Sequence, residues 1–387
     1  MSGLSKHMMH PYDDLDLTIG DLHEMIKMYN SYDTAYLEKT DGYNIHVGYV
    51  NGETRFFRNM KDIASGGMDI DGMRAKWLNN KHIQSTYVEC GEIIAAVMPE
   101  LQKYMPDNVG AFYTLNCECI RGLTNVVPYM DTRVIVHNIW KWQEGRSPEV
   151  IDLPIGFEGY ADRHVYVDNI VRCMGLHDLD RSGAMIKSLC TAIGDPHDSI
   201  TNHAMTLREY YTKEIMRLCD RRDYGWVSNN PSFHHVIERL FGDLSYKLKD
   251  LREDYKDKDI VGFIDGDGKL MMHLARKPLI NLFIYIGDDV LSRACGYLNQ
   301  ANKYDICSVM SHAIDGAIRH IVDNPKSTDE YNRIIEAAMN FDLHHSTINA
   351  LEGVVYEYKG NLYKLTGSFA LINKFVGYAM RDGFKIF

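Results

Sequence analysis

The sequence predicts an α+β fold, because strand-rich segments at both ends of the chain flank a long helical block. Residues 34–60 and 351–369 each contain two runs rich in β-branched and aromatic residues around a turn signal. Residues 160–345 instead repeat apolar side chains at helical spacing. We expect the strand-rich parts to pair into one domain of antiparallel sheets with flanking helices, and the helices between them to form an insertion.

The expected domain boundaries follow from these changes of pattern. Residues 1–155 and 346–387 are expected to form the α+β domain, and residues 156–345 the large all-helical insertion. A short helix is expected over residues 370–379. The pattern of an OB-fold does not follow the second hairpin, so we expect no OB-fold domain.

The N-terminal segment predicts a helix followed by a hairpin. An apolar stripe of helical spacing begins shortly after Asp16 and Thr18, either of which could cap the helix. Beyond it, the dipeptide Asn51-Gly52 is a strong signal for a tight hairpin turn. Lys39 therefore lies just before the hairpin or within its first strand.

Composition limits the classes of protein that this chain can represent. Hydrophobic residues make up 45% of the 387 residues, which is enough for a full core without disulfides. Among the eight cysteines only Cys117 and Cys119 are close together, so we expect reduced thiols and no zinc site. No apolar run approaches the ~20 residues that span a bilayer, and no signal peptide is recognised. We therefore expect a cytoplasmic protein with no membrane partner.

The net charge of −11 bears on the choice of partners. Proteins that contact many nucleic-acid phosphates are usually basic on at least one face. The acidic balance therefore argues against strong nonspecific binding to DNA, but it leaves room for a local basic groove.

The stretch Glu38-Lys39-Thr40-Asp41-Gly42 contains a candidate nucleophile. A lysine amine attacks phosphorus only when it is uncharged, and partial burial or neighbouring cations lower a lysine pKa. Gly42 would permit a tight backbone turn close to a nucleotide. The pattern K-x-D-G is short, and an exposed turn is the alternative interpretation.

Three further charged residues could belong to the same site. In a hairpin, Glu352 and Lys364 can point into one cleft, where a carboxylate binds a divalent metal and a lysine neutralises phosphate charge. An ordinary cross-strand salt bridge is the alternative. Glu118 lies in the first of two expected strands, residues 111–120 and 132–142. In that apolar strand it faces either solvent or a polar site.

Taken in order, these motifs resemble the covalent nucleotidyltransferase superfamily of ATP-dependent RNA ligases, DNA ligases and mRNA capping enzymes. The stretches that carry the resemblance are EKTDGYNIHVGY, RNMKDI, ECIRGLTNVVPY, VIVHNI and EGVVYEYKGNLYKLTGSFALIN. In detail they are most similar to ligase-like proteins of bacteriophages. The resemblance covers roughly residues 30–140 and 350–380 and leaves the helical block unmatched.

The resemblance implies ATP as the nucleotide and Mg²⁺ or Mn²⁺ as the metal. Lys39 would attack the α-phosphate and become adenylylated, and Lys364 would contact that phosphate. Glu352 would be catalytic and would bind the metal together with Glu118. The residues implied to bind the nucleotide are Glu38, Asp41, Gly42, Asn44, Arg55, Arg58, Glu118 and His137.

Some of these implied roles are more specific. Arg58 is the arginine expected to contact phosphate after the first hairpin, with Arg55 as a second candidate. His137 would help to form a wall against the base, and Glu38 would orient the lysine or the purine. Asn44 stands where DNA ligases and capping enzymes usually carry arginine, which favours RNA-ligase-like chemistry.

The implied function is an RNA-ligase-like enzyme that joins 5′-phosphate and 3′-hydroxyl ends, with RNA favoured over DNA as the substrate. If the protein is phage-encoded, it would act in the host cell cytoplasm. Two alternatives stay open: transfer of AMP to an acceptor other than nucleic acid, and a degenerate ligase fold that binds nucleotide or nucleic acid. Thr366 favours the second, because a lysine often stands two residues after Lys364 in this family. The helical insertion would then contact a protein partner.

Overall fold

The computed structural model describes much of the N-terminal half of the chain and selected segments of the rest. The described residues are 8–31, 34–106, 111–121, 129, 131–143, 146–153, 164–167, 170–172, 179–194, 203–220, 267–295, 316, 319–320 and 352–369. Within them, helices pack against sheets that are almost entirely antiparallel, as the sequence predicts. No helix in this part of the chain is long and apolar enough to cross a membrane.

The secondary-structure elements are numbered along the chain. The helices are α1 (Ile19–Tyr29), α2 (Met60–Ala64), α3 (Ile70–Lys76), α4 (Lys81–Leu101), α5 (Leu179–Ala192), α6 (Leu207–Asp220) and α7 (Asp267–Cys295). The strands are β1 (Ala35–Lys39), β2 (Tyr43–Val50), β3 (Glu53–Phe57), β4 (Phe112–Arg121), β5 (Thr132–Trp142), β6 (Glu149–Ile151), β7 (Val165–Val167), β8 (Ile170–Arg172), β9 (Gly353–Tyr358) and β10 (Asn361–Leu365). Short 3-10 helices occupy Pro11–Asp13 and Gln102–Tyr104.

The strands form two sheets. The smaller sheet has the order β10-β9-β1-β8, and all its neighbouring strands are antiparallel. The larger sheet has the order β3-β2-β4-β5-β6, with β7 running parallel to β5. Because β1 and β2 belong to different sheets, residues 40–42 carry the chain directly from one sheet to the other.

Both predicted hairpins are present. The β2–β3 hairpin turns at Asn51 and Gly52, whose φ angles are 52° and 85°. The β9–β10 hairpin turns at Lys359 and Gly360, whose φ angles are 50° and 77°. Two consecutive left-handed residues suit a two-residue turn, because their twist matches the twist of the flanking strands. Glycine adopts the second of these conformations without a steric penalty.

Helix α1 confirms one of the two predicted caps. The Thr18 hydroxyl accepts a hydrogen bond from the Asp21 main-chain N–H at 3.0 Å. The Asp21 carboxylate in turn accepts the Thr18 main-chain N–H at 2.8 Å. This reciprocal capping box satisfies two main-chain donors that the helix itself leaves unpaired. Thr18, and not Asp16, is therefore the cap.

Helix α4 covers one face of the larger sheet. Its buried residues Tyr87, Cys90 and Ile94 share a hydrophobic cluster with Val47 of β2 and Leu115 of β4. Successive side chains of a strand alternate between the two faces of a sheet. The residues that alternate with these apolar positions therefore face away from α4.

The other long helices share a second hydrophobic cluster with the smaller sheet. It contains Tyr36 of β1 and Tyr356 and Tyr363 of the β9–β10 hairpin, all less than 3% exposed. Helices α1, α5, α6 and α7 contribute the side chains that surround them, among them Leu22, Leu189, Tyr211 and Phe283. Of the described helices of the predicted insertion, α7 contacts β9 and β10, and α5 and α6 pack against α7.

One predicted helix is wrong. The apolar spacing of residues 161–175 fits a helix, but β7 and β8 lie in this segment. They pair with β5 and β1, so both sheets extend into the predicted all-helical insertion. The segment is short and rich in β-branched residues, and for such runs pairing with a neighbouring strand overrides the local preference.

Several other predictions fall outside the described residues. They are the short helix over residues 370–379 and the helices expected within residues 221–266 and 321–345. The boundary between the α+β domain and the insertion stays a prediction.

Helix α7 packs tightly on the chain just after β10. A Cβ atom on Gly287 would lie 2.6 Å from the main-chain nitrogen of Gly367, so glycine permits this close approach. The neighbouring Asp288 carboxylate accepts the Ser368 main-chain N–H at 2.7 Å and the Ser368 hydroxyl. The helix therefore fixes the end of the strand that carries Lys364.

We expect Gly287→Ala to lower the free energy of unfolding by about 1–3 kcal/mol, because the new methyl group meets the main chain of Gly367. Gly183→Ala in α5 is the matched control. Among the described residues nothing lies within 4 Å of its Cβ position, so this change should be neutral or stabilise by up to ~1 kcal/mol. Urea unfolding of both variants measures the difference. Equal effects would contradict the close packing of α7.

Candidate active site

Lys39 and Glu352 meet at the end of β1. This strand lies between β9 and β8, and its last residue, Lys39, pairs with Gly353. Since Glu352 immediately precedes Gly353, the register brings the two side chains together, and the Lys39 Nζ forms an ion pair with the Glu352 Oε1. The two side chains are 23% and 11% exposed. A lysine from the first third of the sequence thus contacts a carboxylate from its last tenth.

The environment of Glu352 raises the affinity of its carboxylate for a proton. Burial raises the pKa of Glu352 to about 7, although the ammonium group of Lys39 opposes this change. The carboxylates of Asp41 and Glu118 contribute to this rise, which places both acids near Glu352. Among the described residues, the buried Oε2 of Glu352 has no hydrogen-bond partner. A buried oxygen of this kind is costly unless a proton or a cation satisfies it.

Lys364 lies in the same cluster. It stands across the hairpin from Val355. Burial lowers the pKa of Lys364, the Lys39 ammonium lowers it further, and the carboxylates of Glu352 and Asp13 oppose both effects. The structure therefore brings together the three residues that the sequence predicted as nucleophile, metal ligand and phosphate contact.

The turn after Lys39 lies against β4 of the larger sheet. A Cβ atom on Gly42 would lie 2.7 Å from the Cys119 carbonyl oxygen and 2.7 Å from the Glu118 Cγ. Gly42 does not have a positive φ, so glycine serves here to allow a close approach. This contact holds the turn beside Glu118 and gives a physical reason for the glycine in the K-x-D-G pattern.

On the larger sheet, Glu118, His137 and Asn44 lie together. The Glu118 Oε2 and the His137 Nε2 are 3.7 Å apart. A bulge opposite Asn116 and Cys117 makes His137 the extra residue of β5, and such bulges redirect a side chain. Asn44 pairs with Glu118 across β2 and β4, and its amide donates a hydrogen bond to the Asn116 Oδ1 at 2.6 Å.

The two candidate arginines occupy different places. The Tyr87 hydroxyl donates a hydrogen bond to the Asn44 carbonyl at 3.2 Å. Burial raises the pKa of Tyr87, the guanidinium of Arg58 opposes this rise and the carboxylate of Glu118 adds to it, so both charges lie near this hydroxyl. Arg58 is therefore on the Glu118 side of the hairpin. Arg55 forms an ion pair with Glu53 of its own strand, near the hairpin turn. In the described part of the chain, the contacts of Arg55 do not connect it to the lysine cluster.

Tyr129, which lies near Glu38, was not among the site residues predicted from the sequence. Adjacent side chains of a strand point to opposite faces, so Glu38 and Lys39 leave β1 on different sides. Burial raises the pKa of Tyr129, and the carboxylates of Glu38, Asp41 and Glu352 raise it further. The Tyr129 hydroxyl also accepts the Asp41 main-chain N–H at 2.9 Å. Its one sequence signal is its place in the stretch ECIRGLTNVVPY, within a segment predicted only as a turn.

The acidic residues fit a divalent metal that is bound jointly with a nucleotide. Among the described residues no group of three or more His, Cys, Asp or Glu is arranged to hold a metal ion alone. Mg²⁺, however, commonly uses one or two carboxylates and completes its shell with phosphate oxygens and water. The unpaired, buried Oε2 of Glu352 suits such a ligand, and Glu118 lies nearby.

The face of the larger sheet that carries Asn44 and Glu118 also carries an aromatic cluster around His46. The His46 ring is fully buried, with centroids 4.9 Å from Trp140 and 5.6 Å from Trp142. Burial lowers the pKa of His46 to about 3, and the charges of Arg58 and His137 lower it as well. The imidazole is therefore neutral in the folded protein near neutral pH.

An archaeal ATP-dependent RNA ligase (form 1) has some structural similarity to the chain. The TM-score is 0.25 and the sequence identity 11%, over 98% of this chain and 83% of the ligase chain. No protein-family model matches the sequence, and no curated protein matches it. Similarity at this level shows neither family nor activity, so the function rests on the geometry of the site.

Acidification should destabilise the wild-type protein relative to the His46→Gln variant, in which Glu352 and the other acids titrate in the same way. The unfolded side chain binds a proton below its ordinary pKa of 6.5, whereas the folded one binds it only near 3, so stability is lost as the pH falls through this window. Between pH 7.5 and pH 5 the loss is about 2 kcal/mol. His46→Gln should lack this loss, which urea unfolding at both pH values measures. A pH dependence identical to the wild type would contradict the neutral buried imidazole.

Proposed function

We propose that the protein is an ATP-dependent nucleotidyltransferase that carries AMP covalently on Lys39. The contact between Lys39 and Glu352, with Lys364 close by, is the observation that supports this proposal. It places a partly buried amine, a carboxyl group and a second cation in one cluster. Two independent contacts position that amine, the pairing of β1 with β9 and the packing of Gly42 on β4.

The reaction that suits this cluster is attack of an amine on phosphorus. The Lys39 Nζ would form a bond to the α-phosphorus of ATP while the bond from that phosphorus to the bridging β-phosphate oxygen breaks. Pyrophosphate leaves with the electron pair of the broken bond. The attacking amine must first lose a proton, and the Glu352 carboxylate in contact with it is placed to accept one.

The neighbouring charges would stabilise the transition state. Lys364 would neutralise negative charge on the α-phosphate. Glu352 and Glu118 would hold the divalent metal, and bound Mg²⁺ or Mn²⁺ would supply further charge neutralisation. On the larger sheet, Asn44 and His137 lie beside Glu118, where they would contact the ribose and the base.

We infer that AMP then passes to the 5′-phosphate of RNA and that a 3′-hydroxyl displaces it to join the ends. The neutral amide of Asn44 supports this choice of acceptor, because it stands where the resemblance places arginine in DNA ligases and capping enzymes. Asn44 is held by hydrogen bonds to the Asn116 side chain and the Cys117 carbonyl. The helical insertion would contact the nucleic acid or a protein partner.

Two observations favour other candidate functions. Thr366 is 5% exposed and packs beside Gly353, so it adds no cation to the cluster. That departure favours a degenerate module that binds nucleotide or nucleic acid without catalysis. The net charge of −11 favours an acceptor other than nucleic acid, such as a protein side chain.

Incubation with α-³²P-labelled ATP and Mg²⁺ should produce a labelled protein band on a denaturing gel. Lys39→Ala should abolish the label, because it removes the nucleophile. Lys359→Ala is the matched control, since Lys359 lies in the turn of the same hairpin as Lys364 and pairs with Asp21 at 2.6 Å. This variant should keep the label. Labelled GTP in a parallel reaction tests the choice of donor.

The two outcomes separate the candidate functions. A label that disappears only in Lys39→Ala establishes covalent transfer. If the wild-type protein stays unlabelled after any bound AMP has been removed, the enzymatic proposal is contradicted. The degenerate module that binds nucleotide or nucleic acid is then favoured.

Glu352→Gln should slow formation of the labelled protein by about 100-fold, because it removes the proton acceptor and the metal ligand with little change of shape. It should also raise the Mg²⁺ concentration at which the rate is half-maximal. Glu357→Gln, on the exposed side of the same strand, is the control and should react at the wild-type rate. The measurement is the rate of labelling against Mg²⁺ concentration. Equal rates for both variants would remove Glu352 from the chemistry.

A further inference from the structure

The turn that follows Lys39 is tied to a tyrosine from a distant part of the chain. The Tyr129 hydroxyl oxygen accepts the main-chain N–H of Asp41 at 2.9 Å. Tyr129 is 8% exposed, so this hydrogen bond is largely shielded from water. The pairing of β1 with β9 ends at Lys39 and that of β2 with β4 begins at Tyr43, so Asp41 lies between the two ladders.

Because of this position, the conformation of the turn affects where the Lys39 side chain points. Residues 40–42 cross from the smaller to the larger sheet. Strand pairing holds the chain before the turn, and the contact of Gly42 with β4 holds the chain after it. The hydrogen bond between the Asp41 N–H and the Tyr129 hydroxyl holds the middle of the turn. A change of main-chain angles there would rotate the last residue of β1 relative to the Glu352 carboxylate.

Tyr129 is itself held firmly. The Arg133 guanidinium lies over its ring, 5.6 Å from the centroid, and over the ring of Tyr166 at 4.7 Å. The Arg133 Nε donates to the Asp131 Oδ1 at 2.6 Å, and the Tyr166 hydroxyl donates to the Asp131 Oδ2 at 3.0 Å. Tyr129 also shares a small hydrophobic cluster with Phe369, which follows β10. The tyrosine is thus a fixed support and not a loosely packed side chain.

We propose that Tyr129 is a positioning residue for nucleotidyl transfer, which holds the turn at Asp41 so that the Lys39 amine keeps its alignment with Glu352. This role rests on the proposed function. Tyr129 would not act as a base, because burial and the surrounding carboxylates raise its pKa well above its ordinary value and keep the hydroxyl protonated. It contributes one hydrogen-bond acceptor in a fixed place.

The experiment compares Tyr129→Phe with Tyr166→Phe. The first variant removes the oxygen that binds Asp41, and the second removes the other hydroxyl of the same aromatic cluster and leaves the bond to Asp41 in place. For Tyr129→Phe we expect the rate of labelling at saturating ATP to fall about 10-fold, the effect of one lost buried hydrogen bond. The ATP concentration at half-maximal rate should stay within about twofold of the wild type, because uniform binding is not affected. Tyr166→Phe should match the wild type in both quantities.

A second measurement does not depend on activity. Amide hydrogen exchange in the peptide that contains residues 38–44 should be faster in Tyr129→Phe than in Tyr166→Phe, because the Asp41 N–H loses its acceptor. Thermal unfolding of both variants confirms that they are folded at the assay temperature.

The outcomes distinguish this inference from the proposed function. If the wild type is labelled and Tyr129→Phe is labelled at the same rate, the positioning role is overturned and the enzymatic function stands. A rise in the half-saturating ATP concentration at an unchanged maximal rate would overturn it as well, since Tyr129 would then act on nucleotide binding. If the wild type takes no label, the proposed function fails and the positioning role fails with it.

Discussion

The antiparallel pairing of β1 with β9 is the constraint on which the rest of the site depends. The register that sets Lys39 opposite Gly353 puts the lysine amine in contact with Glu352. A slip of one residue would turn every side chain of β1 to the other face of the sheet. Helices α1, α5, α6 and α7 share one hydrophobic cluster with Tyr36 and Tyr356, and β10 adds Lys364 on the far side of β9.

Burial favours the uncharged forms of both Glu352 and Lys364. It raises the pKa of Glu352 and lowers the pKa of Lys364, because a medium less polar than water disfavours both charged forms. The proton affinities of Glu352 and Lys364 therefore differ less than those of an exposed carboxylate and an exposed amine. The raised pKa of Glu352 by itself lowers the free-energy cost of moving a proton to its carboxylate from a neighbouring amine. Asp41, in the turn between the two sheets, and Glu118, on the larger sheet, act in the same direction on the pKa of Glu352.

Local features of the fold could be predicted from the sequence, whereas features that depend on distant pairing could not. The two hairpins and the cap of α1 are encoded by a few neighbouring residues, and these predictions are confirmed. The helix predicted over residues 161–175 is wrong, because this segment contains β7 and β8, which pair with the distant strands β5 and β1. The order of the motifs identified Lys39, Glu352 and Lys364 as candidates. The spacing of residues along the chain gives no sign of Tyr129, because its hydrogen bond joins it to Asp41, 88 residues earlier.

The pairing that forms the site also determines when the site can form during synthesis. Residues 40–352 separate Lys39 from the β9 strand, and proteins are made from the N-terminus onward. The β2–β3 hairpin needs only local contacts and can fold while the ribosome is still translating the helices. Until β9 has been synthesised, one edge of β1 stays unpaired. An unpaired strand edge can pair with the wrong strand or with another chain. A nascent or truncated chain that stops before Glu352 therefore contains the K-x-D-G lysine without its carboxylate, so the contact between Lys39 and Glu352 forms only after about 310 further residues have been translated.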